Sequence, residues 1–155
     1  METQVAVAAD TRMKVAAALQ KTLVHVIDLS LQTKQAHWNV YGPNFRSIHL
    51  QLDEVVNDAR MYADLLAERM LALGVPAAGQ AGHIGRDSTL DPLPDGELQD
   101  ADVVRLMIDR LGKVAAVARS AMDEVEDDLA SQDILIDVVK GLEKHLWMFQ
   151  AHRQR

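Results

Sequence analysis

Five side chains with the chemistry of metal ligands lie in one stretch of the chain: His37, His49, Asp53, Asp64 and Glu68. His49 and Asp53 are four residues apart, as are Asp64 and Glu68, so on a helix each pair shares a face. From Asp53 to Asp64 is eleven residues, about three whole turns, which puts all four on one stripe. Ile48, Leu52, Val56, Leu65 and Leu66 crowd that stripe and imply partial burial. Ionisable groups in such surroundings need partners or a metal. The midpoints of the two pairs are about 22 Å apart at the helical rise, so one helix cannot bring both pairs to one ion. The positions are symmetric, however, since 49 plus 68 equals 53 plus 64. An antiparallel second copy crossing near Asp58 and Ala59 would set His49 and Asp53 against Glu68 and Asp64 of its mate, and a two-fold axis would make two such sites. Carboxylates with some imidazole suit iron(II), and tolerate manganese, zinc or cobalt.

The elements that must carry these residues are helices. Apolar residues recur at helical spacing over residues 10–39 with no Gly or Pro to interrupt them. Tyr41-Gly42-Pro43-Asn44 breaks the run, and a second helix over residues 44–73 ends at Gly74 and Pro76. So short a connection forces an antiparallel hairpin, with His37 as far before the turn as His49 is after it, and therefore beside it. Residues 74–99, rich in Gly and Pro, form a connection with room for one short helix, long enough to cross the bundle from end to end. A third helix over residues 100–125 takes Asp100 as its cap. A fourth over residues 132–152 follows the acidic turn Glu126-Asp127-Asp128, with Ser131 as cap. The expectation is a single all-α domain over residues 1–155, with residues 1–9 a short tail.

Composition narrows the function. The 155 residues contain no cysteine, which leaves out disulfides and thiolate sites and favours a reducing, cytoplasmic setting. No segment approaches the length of a membrane span, and the start of the chain lacks the basic region of a signal peptide. A formal net charge of -7, with two Trp, two Tyr and two Phe, disfavours nucleic acid and favours cations.

The segment Lys34-Gln35-Ala36-His37-Trp38-Asn39-Val40, then Gly42, Asn44-Phe45 and His49, resembles the hallmark of the Dps family. Asp53, Asp64-Leu65-Leu66-Ala67-Glu68-Arg69 and the terminal Glu143-Lys144-His145-Leu146-Trp147-Met148-Phe149 continue the likeness. The resemblance implies a ferritin-like four-helix bundle with a long crossover between helices two and three, assembled as a hollow spherical dodecamer. It implies oxidation of iron(II), preferentially by hydrogen peroxide, storage of ferric mineral and protection against oxidative stress. The implied ligands are His37, His49, Asp53, Asp64 and Glu68. Glu-x-x-His, the ordinary di-iron motif of such bundles, occurs nowhere in the chain.

Trp38, next to a ligand position, is expected to pack at the dimer interface, with electron donation to excess peroxide as its sharper role. Glu124, Asp127, Asp128 and Asp133 form an acidic group that suits a helix start, and that the resemblance puts near three-fold channels guiding iron inward. His25, His83, His145 and His152 are read as structural or surface residues. Relatives that bind DNA use lysine-rich tails. Here Arg12 and Lys14 precede the first helix and His152, Arg153 and Arg155 close the last, so DNA binding is expected to be weak or absent. The alternatives are a metal-dependent hydrolase using the same interface site, or a DNA-compacting shell.

Overall fold

The computed structural model describes residues 3–152; Arg153 and Arg155 of the basic terminus lie outside them. The elements are α1 (Ala9–Asn39), β1 (Val40–Tyr41), α2 (Phe45–Ala72), α3 (Ala81–Asp87), β2 (Leu98–Gln99), α4 (Asp100–Glu124) and α5 (Leu129–Ala151). Four long helices make the bundle as two antiparallel hairpins, α1–α2 and α4–α5, with α1 also packed along α4. Leu19, Leu29, Leu52, Leu66, Met70, Leu111, Leu142 and Phe149 are fully buried between them, the apolar stripes anticipated from helical periodicity. No described helix is long and apolar enough to cross a membrane.

Helix α2 ends as its sequence dictates. Gly74 takes φ 80°, Val75 N–H reaches the Met70 carbonyl at 2.9 Å and Gly74 N–H the Leu71 carbonyl at 2.9 Å. That is the paired arrangement that closes a helix with glycine. The crossover then runs along α1, held by side chains spaced down that helix. The Gln20 amide both donates to the Ala78 carbonyl and accepts from its N–H, each at 2.8 Å. His25 Nε2 lies 2.9 Å from Thr89 Oγ1, and Ser88 Oγ donates to Asp28. Arg110, buried on α4, donates to Gln32 Oε1 at 3.0 Å. A two-residue parallel bridge, Val40 with Leu98 and Tyr41 with Gln99, joins the crossover's end to the first turn. Such a bridge has too few residues to leave a periodicity.

Three boundaries differ from the sequence expectation. Helix α1 starts at Ala9, so Arg12 and Lys14 belong to the helix, and residues 3–8 carry no basic side chain. That segment is docked: Thr3 Oγ1 donates to the Ala72 carbonyl at 2.7 Å, and Val5 and Val7 pack on the core. Asp100 is the first residue of α4 rather than its cap, because its carboxylate is taken by the Asn44 N–H and the Ala101 N–H, both at 2.7 Å. Helix α5 starts at Leu129, which leaves Ser131 inside its first turn and bonded to Asp128.

Gly42 is where the turn between α1 and α2 is most constrained. Its φ is +134°, and a Cβ there would lie 2.6 Å from Asp100 Cγ. Gly42→Ala should lower stability by about 2–4 kcal/mol through backbone strain and the clash together. Asp100→Ala alone should cost about 1–2 kcal/mol for the lost bonds. The double variant should be clearly less destabilised than the sum, since truncating the Asp100 side chain removes the clash. Denaturant midpoints of the three variants check this.

Candidate metal centre

The hairpin brings His37 and His49 into direct contact. Their rings stack with centroids 3.6 Å apart. His37 Nδ1 lies 2.8 Å from the His49 carbonyl, and His49 Nδ1 lies 2.9 Å from the His37 carbonyl. Only a protonated Nδ1 can donate to a carbonyl, so each neutral ring keeps its lone pair on Nε2, the form a metal requires. The Phe45 ring, 4.9 Å from that of His49, closes one side. Asp53, one turn on from His49, reaches within 3.3 Å of His37 Nδ1. The same oxygen accepts a hydrogen bond from Lys34 Nζ at 2.6 Å. That bond holds the Asp53 carboxyl below its ordinary range; burial opposes the shift and the charge of Lys34 assists it.

Asp64 and Glu68 are exposed on the far half of α2 and do not join this group. Among the described residues, no three His, Cys, Asp or Glu side chains are arranged to hold a metal within one chain. His37, His49 and Asp53 adjoin, but both Nδ1 atoms are committed to carbonyls. The chain thus carries two separate groups of candidate ligands on one helical hairpin.

The middle of the stripe is part core and part surface. Ala59 is buried in the chain's own core and Asp58 pairs with His145 Nε2 at 2.8 Å. On that same turn Asn57, Arg60 and Met61 face outward. Ile48, Leu52, Val56 and Leu66 line the flank toward the core, and Leu65 stays exposed. An apolar set is left open on the same hairpin: Leu31, Trp38, Tyr41, Phe45, Leu50, Met61 and Leu71, with Trp38 68% exposed.

The acidic group at the α4–α5 turn divides. Glu124, Asp127 and Asp133 are exposed. Asp128 is buried, paired with Arg69 at 2.8 Å and bonded by Ser131, so it is a structural anchor and not an open channel group. His25, His145 and His152 are engaged in the fold, His152 with Gln51 Oε1 at 2.9 Å. Lys34 has no role in the sequence expectation. Its position three residues before His37, on the same helical face, is the signal that could have found it.

Two hairpins joined by a long crossover define a ferritin-like protein, and the model of the Ferritin family, a ferritin-like domain, matches residues 16–155. The "DNA protection during starvation protein" of Agrobacterium fabrum is 36% identical over 138 residues, covering 88% of this chain and 85% of the relative. That of Mycolicibacterium smegmatis is 40% identical over 140 residues, covering 89% and 76%. The solved tetragonal form of Mycobacterium smegmatis Dps superposes with a TM-score of 0.94 at 35% identity, over 100% of this chain and 94% of that one. The Microbacterium arborescens Dps in its high iron form gives 0.90 at 31% identity, over 98% of each. The chain belongs to the Dps family.

The Arg69–Asp128 pair yields a prediction with a defined sign. Burial raises the Asp128 carboxyl, but the bonds from Ser131 and Arg69 outweigh it and the net shift is downward. The pair therefore stabilises the fold above the ordinary aspartate range, and the contribution is lost as pH falls through the depressed value. Arg69→Met leaves a buried carboxylate without its partner and should cost about 2–4 kcal/mol at pH 7. The difference from wild type should shrink as pH falls below the ordinary aspartate range toward the depressed value at which Asp128 takes a proton. Unfolding midpoints measured across that range test it.

Proposed function

We propose that copies of this chain pair about a two-fold axis and close into a hollow dodecameric shell that oxidises iron(II) at sites shared between subunits. The observation that carries this reading is the His37–His49 pair, with both lone pairs on Nε2 and Asp53 beside it, on a chain that holds Asp64 and Glu68 where they cannot reach it. Each set supplies what the other lacks. The open apolar side chains of the same hairpin are a surface that a second copy would cover. Iron(II) and hydrogen peroxide are the substrates. Each peroxide accepts two electrons, one from each of two iron(II) ions, takes up two protons and leaves two waters and two iron(III) ions. The ferric product hydrolyses and is stored inside the shell, which removes the reactants of oxidative damage together. Trp38, exposed beside His37, is a packing residue of the pairing surface in this scheme. Glu124, Asp127 and Asp133 are the exposed carboxylates that would attract iron inward, Asp127 in part shared with Lys14.

Mixed shells test the sharing of sites. A His49→Ala subunit keeps Asp64 and Glu68, and a Glu68→Ala subunit keeps His37, His49 and Asp53. A shell of either variant alone has no complete site. In an equal mixture half the pairs are mixed, and each of those has one intact site of two. Co-assembled shells should regain about a quarter of the wild-type initial rate of iron(II) oxidation by peroxide. No recovery, with exchange proven by native mass spectrometry, would mean that ligands are not shared.

DNA binding should be weak. The relatives named for DNA protection do not transfer that property to a chain whose formal charge is -7, multiplied over a shell. Lys14, which would otherwise help to offset it, lies 3.7 Å from Asp127. Electrophoretic retardation at physiological salt and neutral pH should show no tight complex; a low-nanomolar, salt-sensitive one would overturn this expectation.

A further inference from the structure

Asp100 is a buried charge outside both groups of candidate ligands. It is 7% exposed, and its carboxylate accepts the Asn44 and Ala101 N–H groups, each at 2.7 Å. The bond from the Asn44 backbone holds it below its ordinary range; burial opposes the shift, and the Ala101 N–H and the Asn44 side chain assist it. Among the described residues all of these partners are neutral. An ionised carboxylate accepts about four bonds, so these donors leave room for another. The start of α4 offsets the equivalent of only about half a charge, and the rest is costly to bury without a cation.

The same residue lines a cavity of about 570 Å³ where the α1–α2 turn, the start of α4 and the end of α5 meet. That is the size of a small-molecule site. Pro43, Ile48, Val104 and Ile108 supply apolar walls, and Ile48 and Val104 are buried. We propose that this cavity binds a small organic monocation, an alkylammonium, with its charge on Asp100 and its chain against Ile48, Val104 and Ile108. Charge accounting favours a cation over an anion. Arg105, which also lines the cavity, is paired with Asp102 and brings no net charge, and His152 spends its Nε2 on Gln51. A bare metal ion is disfavoured too, since one carboxylate among apolar walls offers it too few oxygens. The chain's formal charge of -7 draws cations to the whole surface, and only the cavity adds an apolar lining to a buried carboxylate.

The test compares three probes of equal length, n-hexylamine, n-hexanol and hexanoate, on the full-length protein carrying labelled isoleucine methyl groups. Titration at about pH 8 keeps the amine charged and imidazole neutral. Hexylammonium should saturate at one per chain, move the Ile48 and Ile108 methyl resonances and leave that of Ile84 on α3 in place. It should bind at least about tenfold tighter than the alcohol or the carboxylate, the effect of one nearby charge. Ile108→Trp, which fills the cavity and leaves Asp100 intact, should abolish binding. Asp100→Asn should erase the preference for the amine over the alcohol; should that change unseat the turn, the wild-type comparison of the three probes still decides. Hexanol or hexanoate bound as tightly as the amine, no saturable binding of the amine, or full binding by folded Ile108→Trp would overturn the proposal.

Discussion

The reciprocal hydrogen bonds between His37 and His49 couple the fold of this chain to its chemistry. Each ring donates from Nδ1 to the other residue's carbonyl, so the end of α1 and the start of α2 are tied by the same atoms that fix the tautomer. Each bond contributes about 1 kcal/mol to stability, but the larger effect is geometric. Neither ring can rotate without losing a bond that the turn needs, and the turn itself is held by Asp100 from α4 through the Asn44 N–H. Ligand orientation is thereby referred back to the whole bundle, as outer partners do for metal ligands generally.

Much of this is legible without any coordinates. The long helices announce themselves because periodic apolar residues run unbroken by Gly or Pro, and Gly74 marks the end of α2 by the chemistry of its own backbone. The adjacency of His37 and His49 follows from equal distances to a short turn. What stays hidden depends on side chains with two possible uses. Asp100 and Ser131 are good caps by type, yet both are spent on tertiary partners, so the helix starts fall elsewhere than their residue types suggest. Asp128 looks like one acid among several until its pairing with Arg69 sets it apart, 59 positions away in the chain. Which side chains of the central turn of α2 face outward, Asn57, Arg60 and Met61, is hidden as well, because position along the axis says nothing of the angle around it.

The hairpin α1–α2 has two contrasting sides. Its inner side is buried in the core, whereas Leu31, Trp38, Leu50, Met61 and Leu71 are exposed. A large apolar group on water is ordinary when isolated; several on one hairpin are what the proposed pairing of two copies would cover. The histidines sit at the margin of these two regimes, His37 buried and His49 half-buried, where an electrostatic contact is stronger than in water.

The crossover has a further consequence, in the order in which the chain becomes ordered. Gln20, His25, Asp28 and Gln32 of α1 take partners 58, 64, 60 and 78 positions away, whereas each hairpin closes through a short turn. Local closures cost less entropy and proceed faster than distant ones. Each hairpin can therefore form early, and the ordering cost of the crossover falls on the step that docks one hairpin on the other. Synthesis from the N-terminus favours the same sequence of events, since α1 and α2 are complete before any residue of α4 has been made.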